Sequence, residues 1–235
     1  MTVGFWTLMS RILGMAREVL LYALIGVGPV LDAFIVAFRL PNMFRRFFAE
    51  GAFNTAFVPM YSKRLGNDAE AERFASDAFS GLVFVLIILT SLAMIFMPTL
   101  VWAIAGGFGS DSRFNLAVGY GRIMFPYIFL ISLTALLSGA LNARGRFAMA
   151  AAAPVFLNIL VIIALCSAWI FDADRAFLLV WSIPIAGLVQ LFLLWWDASK
   201  SGLCISLRRP NFGPDMRKLV KVAIPSALAN GVVQI

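Results

Sequence analysis

The chain is 235 residues long, 62% hydrophobic and 13% charged, with a net charge of +7 and no histidine, and its mean hydropathy is +0.92. Soluble domains carry about 25% charged residues, so a water-soluble core is excluded, and the composition points to an all-α, polytopic membrane helical bundle. A β-barrel would alternate in segments of about ten residues, whereas these apolar runs are unbroken and far longer.

The first segment runs from Val3 to Ile25, long enough to span a bilayer. At 100° per residue, Gly4, Thr7, Ser10, Arg11, Gly14, Arg17 and Glu18 share a wedge of about 140° that no apolar residue between 4 and 18 enters. Intramembrane charges cost about 3 kcal/mol each on insertion scales and normally face a bundle interior or a hydrated space. A helix lining a cationic cavity fits this pattern. An interfacial helix lying flat, or an Arg–Glu pair between packed helices, also accommodates it.

Gly26 to Pro29 form an uncharged turn, and a second segment starts near Val30. Pro41 is expected to kink or break it, because proline lacks the N–H and its ring clashes with the preceding turn. Asp32 and Arg39, seven apart, share a face, and Asn42, Arg45, Arg46 and Glu50 follow among phenylalanines. Arg45 and Arg46 read as topology markers on the cytoplasmic side, which is compatible with a functional role as well. A helical piece over Asn54–Leu65 closes on Lys63 and Arg64.

The third segment, Ala69 to Pro98, starts polar, becomes fully apolar from Gly81 to Phe96, and ends in the GGFGSDS loop at 106–112. The fourth covers Arg113 to Ala143 with Arg122 and Pro126 inside it, and ARGRF at 143–147 connects it to the fifth, Ala151 to Ile170, with Pro154 in its first turn. FDADRA at 171–176 is an acidic loop, and the sixth segment, Phe177 to Asp197, contains Pro184 and ends near Trp195 and Trp196. A basic stretch, Lys200 to Lys221, leads to a seventh segment starting near Asp215. Residues 1–213 thus hold six transmembrane segments, and 214–235 the truncated start of a seventh. An apolar run broken off at Ile235 reads as a fragment of a longer protein.

Basic residues alternate along the connections. Those after segments two, four and six carry Arg45, Arg46, Lys63 and Arg64; Arg144 and Arg146; and Lys200, Arg208, Arg209, Arg217, Lys218 and Lys221, against only Arg113 and Arg175 on the other side. The positive-inside rule therefore places the N-terminus in the cytoplasm. No signal peptide is visible, since the first ten residues lack lysine and arginine and Arg11 sits where an h-region belongs.

Enzymatic readings fare badly. Without histidine there is no histidine base, no paired acidic motif would hold a metal, and no P-loop is present. Cys166 and Cys204 make neither a disulfide framework nor a zinc site, and no cofactor or nucleic acid is implied. Prolines inside several spans suit the broken helices of alternating-access carriers, and a cationic wedge suits an anionic cargo such as a phosphate or pyrophosphate headgroup.

The strings SRILGMARE, DAFIVAFRLPNMFRRFFAEGAFNTAFVP, FPYIFLISLTALLSGALNARGRFAMAAAAPVFLNI and KVAIPSALANGVVQI resemble the MurJ (MviN) family of bacterial lipid II flippases over almost the whole chain. That family belongs to the superfamily of multidrug, oligosaccharidyl-lipid and polysaccharide exporters. The resemblance implies an N-terminal lobe of a two-lobe transporter in the bacterial inner membrane, acting in peptidoglycan synthesis. It implies that Arg11, Arg17 and Asp32 contact the cargo, undecaprenyl-pyrophosphate-linked disaccharide pentapeptide, and that Glu18, Arg39, Arg45, Arg46 and Glu50 belong to the gate or cytoplasmic rim. Membrane lipids and the missing C-terminal lobe are the other implied partners, and the fragment alone is not expected to transport. Export of another polyprenyl-linked glycan or a drug, or a non-transporting scaffold, are the alternatives.

Overall fold

The structure is a computed structural model that describes residues 2–45, 52–109, 111–209 and 213–222. In chain order these form α1 (Thr2–Ile25), α2 (Pro29–Arg45), α3 (Ala52–Ser62), α4 (Asp68–Ile95), α5 (Met97–Ile104), α6 (Ser112–Met124), α7 (Tyr127–Ala143), α8 (Ala148–Ile170) and α9 (Arg175–Lys200). A last helix, α10, covers 214–222. Helix is what an apolar chain in lipid must adopt, because each backbone N–H and C=O then finds its partner within the segment.

Among the described residues, four stretches are long and apolar enough to cross a membrane: Asp68–Ile95, Ser112–Ala143, Ala148–Ile170 and Arg175–Lys200. Helix α1 has the length, with 24 residues, but carries Arg11, Arg17 and Glu18. Helix α2 is shorter, with 17 residues. Helices α1 and α2, which length and composition do not select, carry Arg11, Arg17, Glu18, Asp32 and Arg39.

The turns fall at glycines where the backbone needs a left-handed residue. Gly26 (φ 77°) ends α1, and Gly202 (φ 74°) ends α9, where Leu203 N–H returns to the Ala198 carbonyl at 3.0 Å. At its other end α9 is capped by Asp174, whose carboxylate accepts from Phe177 N–H at 3.0 Å. It therefore starts two residues before, and ends three residues after, the span expected from hydropathy.

The prolines divide. Pro98 sits in the first turn of α5 behind a non-helical Phe96 (φ −91°, ψ 17°), and Pro126 falls in the gap between α6 and α7. Pro41, in contrast, lies inside a helix that continues to Arg45, so the expected break there does not occur. Leu31, Ala33, Phe34, Ala37 and Leu40 on the same helix are all buried, and this packing holds the helix across one missing hydrogen bond. Pro154 lies well inside α8, not in its first turn, because the alanine-rich start carries the helix back to Ala148. Pro184 lies inside α9.

The chain forms two compact units. The first comprises Met1–Asn42, Thr90–Tyr127 and Ala151–Gln190; the second comprises Met43–Leu89, Ile128–Ala150 and Leu191–Ile235. In the first unit, Arg175 caps α1 by donating to the Leu24 carbonyl at 2.8 Å. Also in that unit, buried Gln190 donates to the Ala153 carbonyl at 2.6 Å, tying α9 to α8. The second unit has an aromatic core in which Phe57 stacks on Tyr61 at 5.4 Å and on Phe74 at 5.7 Å. Such pairs contribute about 1 kcal/mol each beyond their burial. Arg144 donates to the Tyr61 hydroxyl at 2.8 Å and to the Ser201 carbonyl at 3.2 Å, joining α3, the α7–α8 turn and the end of α9.

Candidate functional site

The polar wedge of α1 meets α8 at one residue. Asn158 is 6% exposed, within an otherwise apolar run, and a buried amide must be hydrogen-bonded or it costs several kcal/mol. Its Nδ2 donates to the Ser10 carbonyl at 3.0 Å, and its Oδ1 accepts from Arg17 Nη1 at 3.1 Å. Gly14 lies between these two on α1, and a Cβ there would make ordinary van der Waals contact with Asn158 Nδ2 at 3.6 Å. Arg17 also reaches Glu18, Nη2 to Oε1 at 3.4 Å, with the arginine side chain 22% and the carboxylate 64% exposed. That second contact is long and solvated, hence weak.

Arg17 opens onto a cavity of about 270 Å³ within the first unit. Helix α1 contributes Arg17, Glu18, Leu21 and Tyr22; α2 contributes Phe34, Ile35, Phe38, Arg39 and Asn42; Val161 of α8 and Leu179 and Ile183 of α9 complete the wall. Phe34 and Phe38 stack one turn apart, 5.7 Å between centroids and nearly parallel. The cavity is therefore amphipathic, with two guanidinium groups and one carboxylate set against aromatic and aliphatic surface. Arg39 makes no ion pair among the described residues.

The predicted site residues are not all brought together. Arg17, Glu18 and Arg39 line one cavity. Arg11 is exposed on α1 and is not part of that lining. Asp32, in the first turn of α2, accepts instead from Arg113 Nη1 at 3.2 Å. The same guanidinium donates through Nε to Asp111 at 2.6 Å and lies 4.9 Å over the Phe108 ring. Asp111 caps α6, accepting from Arg113 N–H at 3.2 Å. That backbone bond, and then the Arg113 side chain, hold its carboxyl below the ordinary aspartate range. Arg46 and Glu50 lie outside the described residues, as does the side chain of Arg45.

Sequence reasoning assigned no site role to Asn158, or to Asn42 and Arg113, which it placed only in the charge pattern. The signal for Asn158 was present: one amide inside PVFLNILVIIAL has to be satisfied by something. Chemically, the arrangement can bind and orient an anion. Guanidinium forks match phosphate oxygens in a bidentate way, while a group of three or more His, Cys, Asp or Glu able to hold a metal is absent among the described residues.

The family described as lipid II flippase MurJ matches residues 21–235. A probable lipid II flippase MurJ of Rhizobium tropici is 47% identical over all of this chain and 45% of its own length. The lipid II flippase MurJ of Burkholderia cenocepacia is 37% identical over all of this chain and 47% of its own. The chain thus spans about half the length of the curated relatives it matches. Among solved structures, a lipid II flippase MurJ in an inward closed conformation superposes with a TM-score of 0.80 at 26% identity, over 99% of this chain and 48% of that one. A MATE transporter in complex with MaD3S shares the fold, with a TM-score of 0.76 at 16% identity over 98% of this chain and 51% of that one. With the family matching residues 21–235 and these relatives covering the whole chain, the chain belongs to the MurJ family.

Proposed function

We propose that the full-length protein is a flippase that carries lipid II, an undecaprenyl-pyrophosphate-linked disaccharide pentapeptide, from the cytoplasmic to the periplasmic leaflet by alternating access. Residues 1–213 form its N-terminal lobe, with the N-terminus in the cytoplasm, in the bacterial inner membrane. Arg17 and Arg39 hold the pyrophosphate, and Arg11, on the polar face of α1, guides it. Asp32 anchors the far end of α2, and Arg45, Arg46 and Glu50 form the cytoplasmic rim. The work is binding and reorientation, with no covalent step.

The observation that carries this reading is the Arg17 guanidinium, fixed by Asn158 at 3.1 Å at the wall of an amphipathic cavity. Arginine has five N–H donors, and two of Arg17's are engaged, one strongly by Asn158 and one weakly by Glu18. Phosphate oxygens compete readily for the rest, because charge-assisted bidentate bonds exceed a solvated 3.4 Å pair. Glu18 also limits the net positive charge at the wall. A carrier needs that limit, since a site that binds too tightly does not release.

The test is headgroup-resolved lipid translocation in vesicles containing the full-length protein, beside rescue of a flippase-depleted strain. Arg11→Ala with Arg17→Ala is expected to abolish both, and Arg17→Lys to weaken translocation, because lysine keeps the charge and loses the fork. Full rescue by a well-expressed double variant refutes the assignment. Movement of a different polyprenyl-linked glycan or of a drug, or of nothing, refutes lipid II as the cargo.

A further inference from the structure

Beyond α9 the second unit carries an extended segment, 203–209, mounted on α4 by a hydrogen-bond ladder. Cys204 N–H donates to Glu72 Oε1 at 3.4 Å, Ser206 N–H to Ser76 Oγ at 3.1 Å and Arg208 N–H to Ser80 Oγ at 2.9 Å. Every second residue of the segment meets every fourth residue of the helix. The register works because two extended residues advance about 6.6 Å and four helical residues about 6.0 Å. Leu203 and Ile205 are buried between these rungs. Helix α10 meets the same helix at Gly81, where Met216 lies 3.6 Å from the position of a Cβ, and meets the turn before it, where Asp215 pairs with Arg64 at 2.9 Å.

The charges of this unit are sorted. Three arginines have carboxylate partners: Arg64 pairs with Glu70 and Asp215, Arg144 with Asp68, and Arg146 with Asp197. Lys200, Arg208, Arg209, Lys218 and Lys221 are exposed and make no ion pair among the described residues. Between them stand exposed apolar groups, Leu207 at 67% and Trp196 at 50%, and Lys200 Nζ lies 3.7 Å over the Trp196 ring. Amphipathic indole beside lysine is the composition of a membrane–water interface. A basic array held in place has already lost the freedom that binding would otherwise remove.

We propose that the 203–209 strap and α10 form a docking surface for the anionic headgroups of the membrane leaflet they face, with Lys200, Arg208, Arg209, Lys218 and Lys221 as the contacts and Leu207 inserted among them. This surface shares no residue with the Arg17 cavity, and its proposed role does not depend on the cargo that cavity takes. Each cation near an anionic surface raises membrane affinity about fivefold, so three neutralised together cost on the order of a hundredfold.

Amide hydrogen exchange of the full-length protein tests this in nanodiscs of phosphatidylcholine alone and of phosphatidylcholine doped with phosphatidylglycerol. Exchange over 203–209 is expected to slow at least fivefold in the anionic discs, to return to the zwitterionic rate at about 0.5 M salt, and to lose its lipid dependence in K200Q/R208Q/R209Q. The loop at 171–174 serves as the unresponsive control. Equal exchange in both lipids overturns the proposal. Slow exchange in both, indifferent to salt and to the three substitutions, also overturns it, because the surface is then covered by protein. The comparison of lipids and of salt on the unsubstituted protein stands without the variant.

Discussion

Asn158 is the residue through which the cavity is most directly testable. Replacing it with leucine keeps the branching at Cγ and the number of side-chain heavy atoms and deletes both bonds, to the Ser10 carbonyl at 3.0 Å and from Arg17 Nη1 at 3.1 Å. The Ser10 carbonyl sits in the middle of α1 and keeps its helical partner, so its loss is small. The bond from Arg17 is charge-assisted, and such bonds contribute about 1.5–3 kcal/mol. Without it the guanidinium can turn toward solvent or Glu18, so part of that energy appears as lost affinity for a phosphate ligand. A tenfold weakening corresponds to about 1.4 kcal/mol and is the expected scale. Burying leucine in place of a satisfied amide leaves the bundle folded, so thermal unfolding should move little.

A binding cycle separates positioning from bulk stability. Pyrophosphate-lipid affinity of the full-length protein is measured for the unsubstituted form, Asn158→Leu, Arg17→Lys and the pair. If Asn158 acts by holding the Arg17 fork, Arg17→Lys costs less once Asn158 is gone, and the coupling energy falls in the 0.5–3 kcal/mol range seen for residues in contact. Asn158→Asp should weaken affinity more than leucine does, since a carboxylate there offsets the Arg17 charge. Additive costs, within about 0.5 kcal/mol, refute the reasoning, because Asn158 would then affect binding by some route other than Arg17.

Two further outcomes follow from geometry elsewhere. Gly139→Ala puts a Cβ 2.7 Å from Asn54 Oδ1 and 3.1 Å from Val58 Cγ2; valine is stiff at χ1, so α3 must move off α7, and a loss of about 1–3 kcal/mol should appear as a lower unfolding midpoint. Asp111 is held below its ordinary pKa, so its stabilising contribution is present above the unfolded value of about 3.9 and is lost as pH falls through the depressed folded value; Asp111→Asn should flatten that last acid-side loss in a series of unfolding midpoints against pH, and an unchanged profile counts against it.

What the sequence made legible was periodic or local. The α1 wedge needs only the 100° repeat, and the ends of α1, α5 and α7 fall where glycine, or glycine beside charge, interrupts an apolar run. Contacts across the bundle are another matter. Periodicity says that α1 has a polar face but not which helix answers it, and Asn158 stands 141 residues from Arg17. Arg113 looked like a stray loop cation because its partner Asp32 is 81 residues away. The resemblance implied a gate or rim role for Arg39, and the fold adds that it lines the same cavity as Arg17, on the helix surface it shares with Phe34, Ile35 and Phe38.

The prolines show why local rules fall short even for secondary structure. Each removes one N–H and frees the carbonyl four residues earlier, yet only some interrupt the helix. At Pro98 the freed carbonyl belongs to Met94, and Arg122 Nε donates to it at 3.3 Å from α6. Gly121, beside Arg122, is what permits the approach, since a Cβ there would stand 2.7 Å from Met97 Sδ. An orphan acceptor in an apolar setting costs several kcal/mol, and a guanidinium supplies the donor that the helix cannot. The break at Phe96 is therefore a property of α4, α5 and α6 together, written into Pro98, Gly121 and Arg122. It also accounts for Arg122 within a membrane span without any appeal to the cargo: this arginine satisfies backbone, whereas Arg17 and Arg39 are turned to a cavity.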